Sequence, residues 1–227
     1  MRFFITDLKR AFTEPYFYLS TAITFLLLFI GMIFSFDGGE KGQLFLYSQA
    51  FVLPFAAPLL ASMPYSVMLM REKETGYKTL IAVKSGHNGY ELRRFFVCGI
   101  SGAAALFIPQ LIFFLICSLV DAAENTGENL LTILLSFPFG FSYSVFSYSL
   151  TFMNKKKYVP LVMPEVIYLL FTYAFPYMGL SEYYPPLDIS PSIYGGEISV
   201  DRLIIPVILI AVGLLMTVLG KQVNKDE

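Results

Sequence analysis

The sequence predicts an all-α membrane protein with six transmembrane helices. Of its 227 residues, 56% are hydrophobic and only 15% are charged, and its mean hydropathy is +0.64. Soluble domains carry about 25% charged residues. Several apolar runs also reach the roughly 20 residues that a helix needs to cross a bilayer. The net charge of −1 does not suggest nucleic acid as a partner, and the expected surroundings are a lipid bilayer.

The chain begins with a predicted amphipathic helix, residues 2–14, that ends before Pro15. Its apolar side chains recur at helical spacing: Phe4, Leu8, Ala11 and Phe12. This pattern is typical of a helix that lies in the membrane interface. The apolar run 17–36 follows as the first span. A signal peptide is the alternative, but this run exceeds the 7–15 residues of an h-region and no A-x-A cleavage site follows it.

Five further apolar runs are predicted to cross the membrane: 44–70, 95–120, 129–153, 158–178 and 203–220. A long connection rich in proline and tyrosine, 179–202, is expected on the extracellular side. Because we find neither an internal repeat nor a soluble segment of domain size, residues 1–227 are predicted to form one transmembrane domain.

The orientation follows from the basic residues. The N-terminus, the 71–94 loop, the 154–157 turn and the C-terminal tail contain all but two of the sixteen Lys and Arg residues. Only Lys41 and Arg202 fall on the opposite side. Since cytoplasmic loops are enriched in Lys and Arg, both termini and the 71–94 loop are predicted to be cytosolic.

The 71–94 loop is the longest stretch that cannot lie in a bilayer. Connections between helices usually have about 2–8 residues, so this one is long for a simple link. Within it, Tyr77, Leu80, Ile81 and Lys84 have helical spacing and include a short apolar island. We expect residues 77–84 to form a two-turn helix that docks onto a partner. An ordinary charged loop is the alternative.

Two polar features lie inside the predicted spans. Glu165 is about eight residues into the fifth span, where a charge is costly and therefore functional or paired. It either lines a cytosol-facing cavity, or lies at the wet helix end because Pro160 and Pro164 shift the helix start. In the fourth span, Gly140 shares one helix face with three hydroxyl residues: Ser144, Ser147 and Thr151. Tight helix packing and a hydrated transport surface are the two interpretations of this face.

Nothing in the sequence predicts catalysis or metal binding. The single histidine, His87, lies among glycine and asparagine residues that favour a turn. Cys98 and Cys117 fall in one predicted helix about 28 Å apart, too far for a disulfide. No cluster of His, Cys and carboxylate residues is predicted at membrane depth. The chain also lacks the phosphate-binding sequence G-x-x-x-x-G-K-[ST]. If ATP drives this protein, a partner must bind and hydrolyse it.

The predicted topology and the loop after the second span resemble the permease subunits of ABC-2-type exporters. The loop residues that carry the resemblance are Arg71, Glu72, Glu74, Gly76, Leu80 and Ile81, followed by Ser85 and Gly86. Family members commonly have threonine where this chain has Tyr77. The topology covers the whole chain, whereas the motif covers about twenty residues.

The resemblance implies a coupling helix that docks in a groove of a separate ATP-binding subunit. The residues implied in this contact are Glu72, Glu74, Gly76, Tyr77, Leu80, Ile81 and Lys84. It also implies a second permease copy or a related permease, with ATP and Mg²⁺ bound by the partner and no cofactor bound by this chain. The compact form is similar to exporters of amphipathic peptide toxins of the phenol-soluble-modulin kind in a plasma membrane. An ATP-independent transporter or an immunity protein is the alternative.

Overall fold

The computed structural model describes residues 2–35, 44–49, 52–76, 90–120, 126–153, 158–190 and 200–223. Every regular element in these ranges is helical, and none of their residues forms a strand. The prediction of an all-α protein is therefore confirmed. The predicted docking helix, 77–84, lies outside the described residues.

The described ranges contain eight α-helices: α1 (Arg2–Thr13), α2 (Pro15–Ser35), α3 (Leu44–Ser48), α4 (Leu53–Glu74), α5 (Tyr90–Val120), α6 (Thr126–Met153), α7 (Val159–Tyr177) and α8 (Ile204–Val223). Three short 3-10 helices accompany them: Ser181–Tyr183, Pro185–Asp188 and Val200–Leu203. Helix α6 is central, because it packs against α4, α5, α7 and α8.

Within the described part of the chain, five helices are long and apolar enough to cross a membrane: α2, α4, α5, α6 and α7. The sixth predicted span, 203–220, corresponds to α8, whose apolar stretch Ile204–Gly220 is shorter. The helical character is thus confirmed, the length and composition of these five helices suit a membrane protein, and the count of six spans stays a prediction.

The apolar face of α1 packs against protein. Ala11 is fully buried and shares a cluster with Tyr65 of α4 and Phe95 of α5, against which Phe4 and Leu8 also pack. The amphipathic pattern is therefore used to attach α1 to one end of the helix bundle, beside the helices on either side of the 71–94 loop.

The second predicted span, 44–70, is divided between α3 and α4. Pro54 is the second residue of α4. A proline is tolerated in the first turn of a helix, where its missing N–H would have no intrahelical partner. The proline thus marks a helix start inside a run whose hydropathy is continuous.

Helices α4, α5 and α6 are in close contact around Gly102. A Cβ atom added to this glycine would lie 2.4 Å from the carbonyl oxygen of Ala61 and 2.4 Å from the Cβ of Ser144. Neither neighbour can give way without moving a helix backbone. Gly102 is therefore required for three-helix contact.

We expect Gly102→Ala to lower the free energy of unfolding by about 1–3 kcal/mol, the usual cost of overpacking. Gly127→Ala, in the first turn of α6, is the matched control, because a Cβ there meets nothing within 4 Å. Denaturation of the two purified variants in one detergent provides the comparison. Equal stabilities would contradict the contact at Gly102.

Candidate functional site

Four charged side chains, three of them buried and Arg10 about one-third exposed, form a group at one end of the bundle that we call the ion cluster: Asp7, Arg10, Glu72 and Arg94. Glu72 is central to it. Its Oε1 accepts a 2.9 Å hydrogen bond from Nη2 of Arg10, and its Oε2 accepts one from Nη2 of Arg94. Glu72 is 4% exposed and Arg94 is fully buried. The cluster thus joins α4 and α5 through charged groups removed from solvent, and joins α1 to them through the partly exposed Arg10.

Asp7 completes the balance of two positive and two negative charges. Its Oδ1 lies 4.0 Å from Nη1 of Arg10. Burial raises the pKa of Asp7, and the guanidinium groups of Arg94 and Arg10 oppose that rise. The arginines therefore offset part of the cost of burying this carboxylate.

Two tyrosine rings cover the remaining surface of the Arg94 guanidinium. The ring centroid of Tyr90 lies 4.9 Å from Cζ of Arg94, and that of Tyr65 lies 5.9 Å away. Among the described residues, Nε and Nη1 of Arg94 have no hydrogen-bond partner. Cation–π contacts consequently supplement the ion pair.

The residues predicted to bind an ATPase lie next to the ion cluster or outside the described ranges. Glu72 lies within the cluster and Glu74 is the last residue of α4. Gly76 is exposed, with φ +67°, a backbone conformation that favours glycine. The other four positions fall outside the described residues: Tyr77, Leu80, Ile81 and Lys84.

Glu165 lies where α7 meets α4. Its Oε2 accepts a 3.0 Å hydrogen bond from the backbone N–H of Leu59, the residue after Pro58. Pro58 lies inside α4, where a proline tends to bend a helix, and the half-buried carboxylate of Glu165 binds the next amide. Glu165 thus has a partner within the bundle.

The three hydroxyl residues of α6 are buried, and two of them, Ser144 and Ser147, bind residues of neighbouring helices. Ser144 donates a 2.9 Å hydrogen bond to the carbonyl of Cys98 in α5, and Thr151 donates one of 2.7 Å to the carbonyl of Tyr148. Ser147 donates a 2.7 Å bond to the carbonyl of Pro160. Because Pro164 has no N–H, that carbonyl lacks its usual partner four residues ahead. These are the contacts of close packing, and a hydrated surface would require the helices to separate.

The 179–202 connection contains a feature that the sequence analysis did not predict. Residues 184–190, here called the re-entrant segment, turn back into the bundle, and Pro185–Ser190 are all buried. Ile189 is fully buried in a cluster that includes Leu106 of α5, Tyr143 of α6 and Tyr168 of α7. Tyr168 is the central residue of α7, about 13 Å from either helix end. The re-entrant segment is therefore buried among α5, α6 and α7.

A series of hydrogen bonds between polar side chains connects the re-entrant segment to the bundle. Ser190 donates a 3.3 Å hydrogen bond to Oε1 of Gln49, whose Nε2 donates one of 3.4 Å to Oε1 of Gln110. Both glutamines are almost fully buried. The paired prolines at 185 and 186 indicate that no regular helix continues there. Whether the segment is buried depends instead on the space that α4, α5, α6 and α7 leave between them. No local sequence pattern reports that space.

No family model, curated protein or solved structure matches this chain. Among the described residues, no group of three or more His, Cys, Asp or Glu side chains is arranged to hold a metal ion. The site is therefore assessed from its own geometry: an ion cluster at one end, and, inside the bundle, the contact between Glu165 and Leu59 and the buried re-entrant segment.

Proposed function

We propose that this chain is the transmembrane permease subunit of an ATP-driven exporter of the ABC-2 type. A separate ATPase subunit would bind ATP and Mg²⁺ and dock on residues 77–84. A second copy of this chain, or a related permease, would complete the pathway. In this proposal the protein lies in the plasma membrane with both termini in the cytosol, as the distribution of Lys and Arg favours.

The ion cluster is the observation that supports this proposal best. Glu72 lies near the end of α4 and Arg94 near the start of α5, on either side of the 71–94 loop. A partner that pulls on the loop therefore acts on α4 and α5 together. Through Arg10 the same force reaches α1. A loop that only connected two helices would not need this buried link to a third helix.

A displacement of the ion cluster would be transmitted along α4 to its contact with α7. Helix α4 runs from Glu72 to Leu59, whose amide is bound by Glu165 of α7. Thirteen residues of helix span about 20 Å. Displacement of α4 would therefore change the α4–α7 contact at Glu165, and α6 packs against both helices.

Glu165 also favours a class of substrate. If α4 and α7 separate, its carboxylate loses the Leu59 amide and becomes available to a positive group. Aromatic side chains of the neighbouring cluster, Phe139, Tyr143 and Tyr168, offer apolar surface beside it. A cationic, amphipathic peptide combines the two properties, so we propose such peptides as the transported substrate.

The test is purification of the full-length tagged chain from its native membranes in a mild detergent. We expect a nucleotide-binding subunit to co-purify at a fixed ratio, and the complex to hydrolyse ATP. An ATPase chain carrying a substitution in its own phosphate-binding lysine serves as the control for contaminating activity. A chain purified without any nucleotide-binding partner would refute the proposal and favour an ATP-independent transporter.

A further inference from the structure

The re-entrant segment contains one ionisable side chain whose burial is not balanced within the described structure. Asp188 is 4% exposed, and its Oδ2 has no hydrogen-bond partner among the described residues. Ionisation would leave a charged oxygen buried without a hydrogen bond, which is unfavourable, whereas the neutral form loses much less. The docked position of the segment therefore favours a protonated Asp188.

The groups around Asp188 do not remove this preference. Helix α6 contributes Tyr143, whose phenol interacts electrostatically with both Asp188 and Glu165. Helix α7 contributes Tyr168, which shares a cluster with the adjacent Ile189, and the 3-10 helix before α8 contributes Arg202. Nη1 of Arg202 donates a 2.7 Å hydrogen bond to the carbonyl of Glu182. Among the groups that the structure describes around Asp188, Arg202 alone favours the ionised form.

We propose that Asp188 is a proton-binding site that holds the re-entrant segment inside the bundle, and that loss of this proton releases residues 184–190. The ligand is a single proton, and the inference does not depend on the proposed function. Release would expose the hydrogen-bonding groups of Gln49 and Gln110, and would open the apolar space that Ile189 fills.

The direction of the pH dependence follows from burial. Asp188 lies in the connection between α7 and α8, outside the spanning helices, and burial raises its pKa to about 8 while Arg202 opposes the rise. A released Asp188 in water has a pKa of about 3.9. Below about pH 4, Asp188 is protonated in both the docked and the released segment, so pH does not change the equilibrium between them. Between about pH 4 and the pKa of about 8, each unit of rising pH favours release up to tenfold.

The test measures access to the segment in the full-length protein, purified and placed in lipid nanodiscs. Ser190→Cys, buried in the segment, is compared with Ser181→Cys, which is exposed just before it. Both are made in a background with Cys98→Ser and Cys117→Ala. The rate of reaction with a soluble thiol reagent at position 190, divided by that at 181, removes the pH dependence of the thiol itself. We expect this ratio to rise at least about tenfold between pH 6 and pH 8.5.

Two substitutions identify the group responsible. Asp188→Asn, which stays neutral, should keep the ratio low and independent of pH. Glu182→Gln, which removes an exposed carboxylate from the same connection, should leave the rise unchanged. A ratio that is flat with Asp188 present, or one that rises equally in Asp188→Asn, would overturn the proposal.

Backbone hydrogen exchange provides a second readout with Ser190 intact. The amides of Leu187 and Ser190 donate hydrogen bonds to the carbonyls of Tyr184, at 2.9 Å, and Pro186, at 3.0 Å. Their protection, relative to an unstructured peptide at the same pH, should fall as pH rises in the natural sequence and stay constant in Asp188→Asn. Constant protection in both proteins would equally overturn the proposal.

Discussion

Glu72→Gln should lower the free energy of unfolding by about 3–5 kcal/mol. The substitution preserves shape but removes the charge that faces both Arg10 and Arg94. Because Arg94 is fully buried, water cannot solvate the charge that the substitution leaves unpaired. Removing one member of a buried ion pair is costly mainly because the other is left uncompensated.

The control is Glu14→Gln, which makes the same chemical change at the same end of the bundle. Glu14 pairs with Arg71 at 3.9 Å, and the Arg71 side chain is 55% exposed. Exposed pairs contribute about 0–1 kcal/mol. The combination Glu72→Met with Arg94→Met should restore much of the lost stability, since a buried pair can be replaced by apolar groups at little cost. Titration with a denaturing detergent measures the free energy of unfolding of each variant. Equal losses for Glu72→Gln and Glu14→Gln would show that the ion cluster does not stabilise the fold.

Replacing Leu80 and Ile81 together by aspartate should weaken binding of the proposed ATPase subunit at least about a hundredfold. Burial of each side chain is worth roughly 1.5–3 kcal/mol, and about 1.4 kcal/mol corresponds to a tenfold change in affinity. Two charges would also be placed in a dry groove. The yield of permease should be unchanged, because the loop contributes no length to any span.

A matched control distinguishes the effect of the two added charges from the effect of losing the buried Leu and Ile side chains. Ser85→Asp with Asn88→Asp adds the same two charges to polar positions of the same loop and should leave binding within a few-fold of the natural protein. The measurement is the ratio of co-purified ATPase to permease. Should the Leu80 and Ile81 variant retain the natural ratio, residues 77–84 are not a docking helix and the exporter proposal loses its main support from the sequence.

The helices were predictable because the bilayer imposes a length. The apolar run 129–153 corresponds to α6, Thr126–Met153, and 158–178 corresponds to α7, Val159–Tyr177. A membrane-spanning helix must satisfy its own backbone hydrogen bonds, so composition alone places it within a few residues. The division between α3 and α4 was harder to predict, because hydropathy does not change near Pro54, the second residue of α4.

The contacts between distant residues could not be predicted from local pattern. Arg10 and Glu72 are separated by 62 positions, and periodicity carries no information over that distance. One signal was present for the nearer pair: Glu72 and Arg94 have opposite charges at the two helix ends beside the same loop. The re-entrant segment had no comparable signal. Its burial requires a space among four helices that exists only after they have assembled.

The ion cluster has a consequence for biogenesis. During synthesis the chain emerges from its N-terminus, so Arg10 reaches the membrane surface well before Glu72 and Arg94 are made. Until α4 and α5 are inserted, α1 must keep its charges in the headgroup region, where water and lipid phosphates can solvate them. Neither Glu72 nor Arg94 can be buried alone at low cost. The two helices that flank the 71–94 loop are therefore expected to enter their final positions as a hairpin, with α1 docking last.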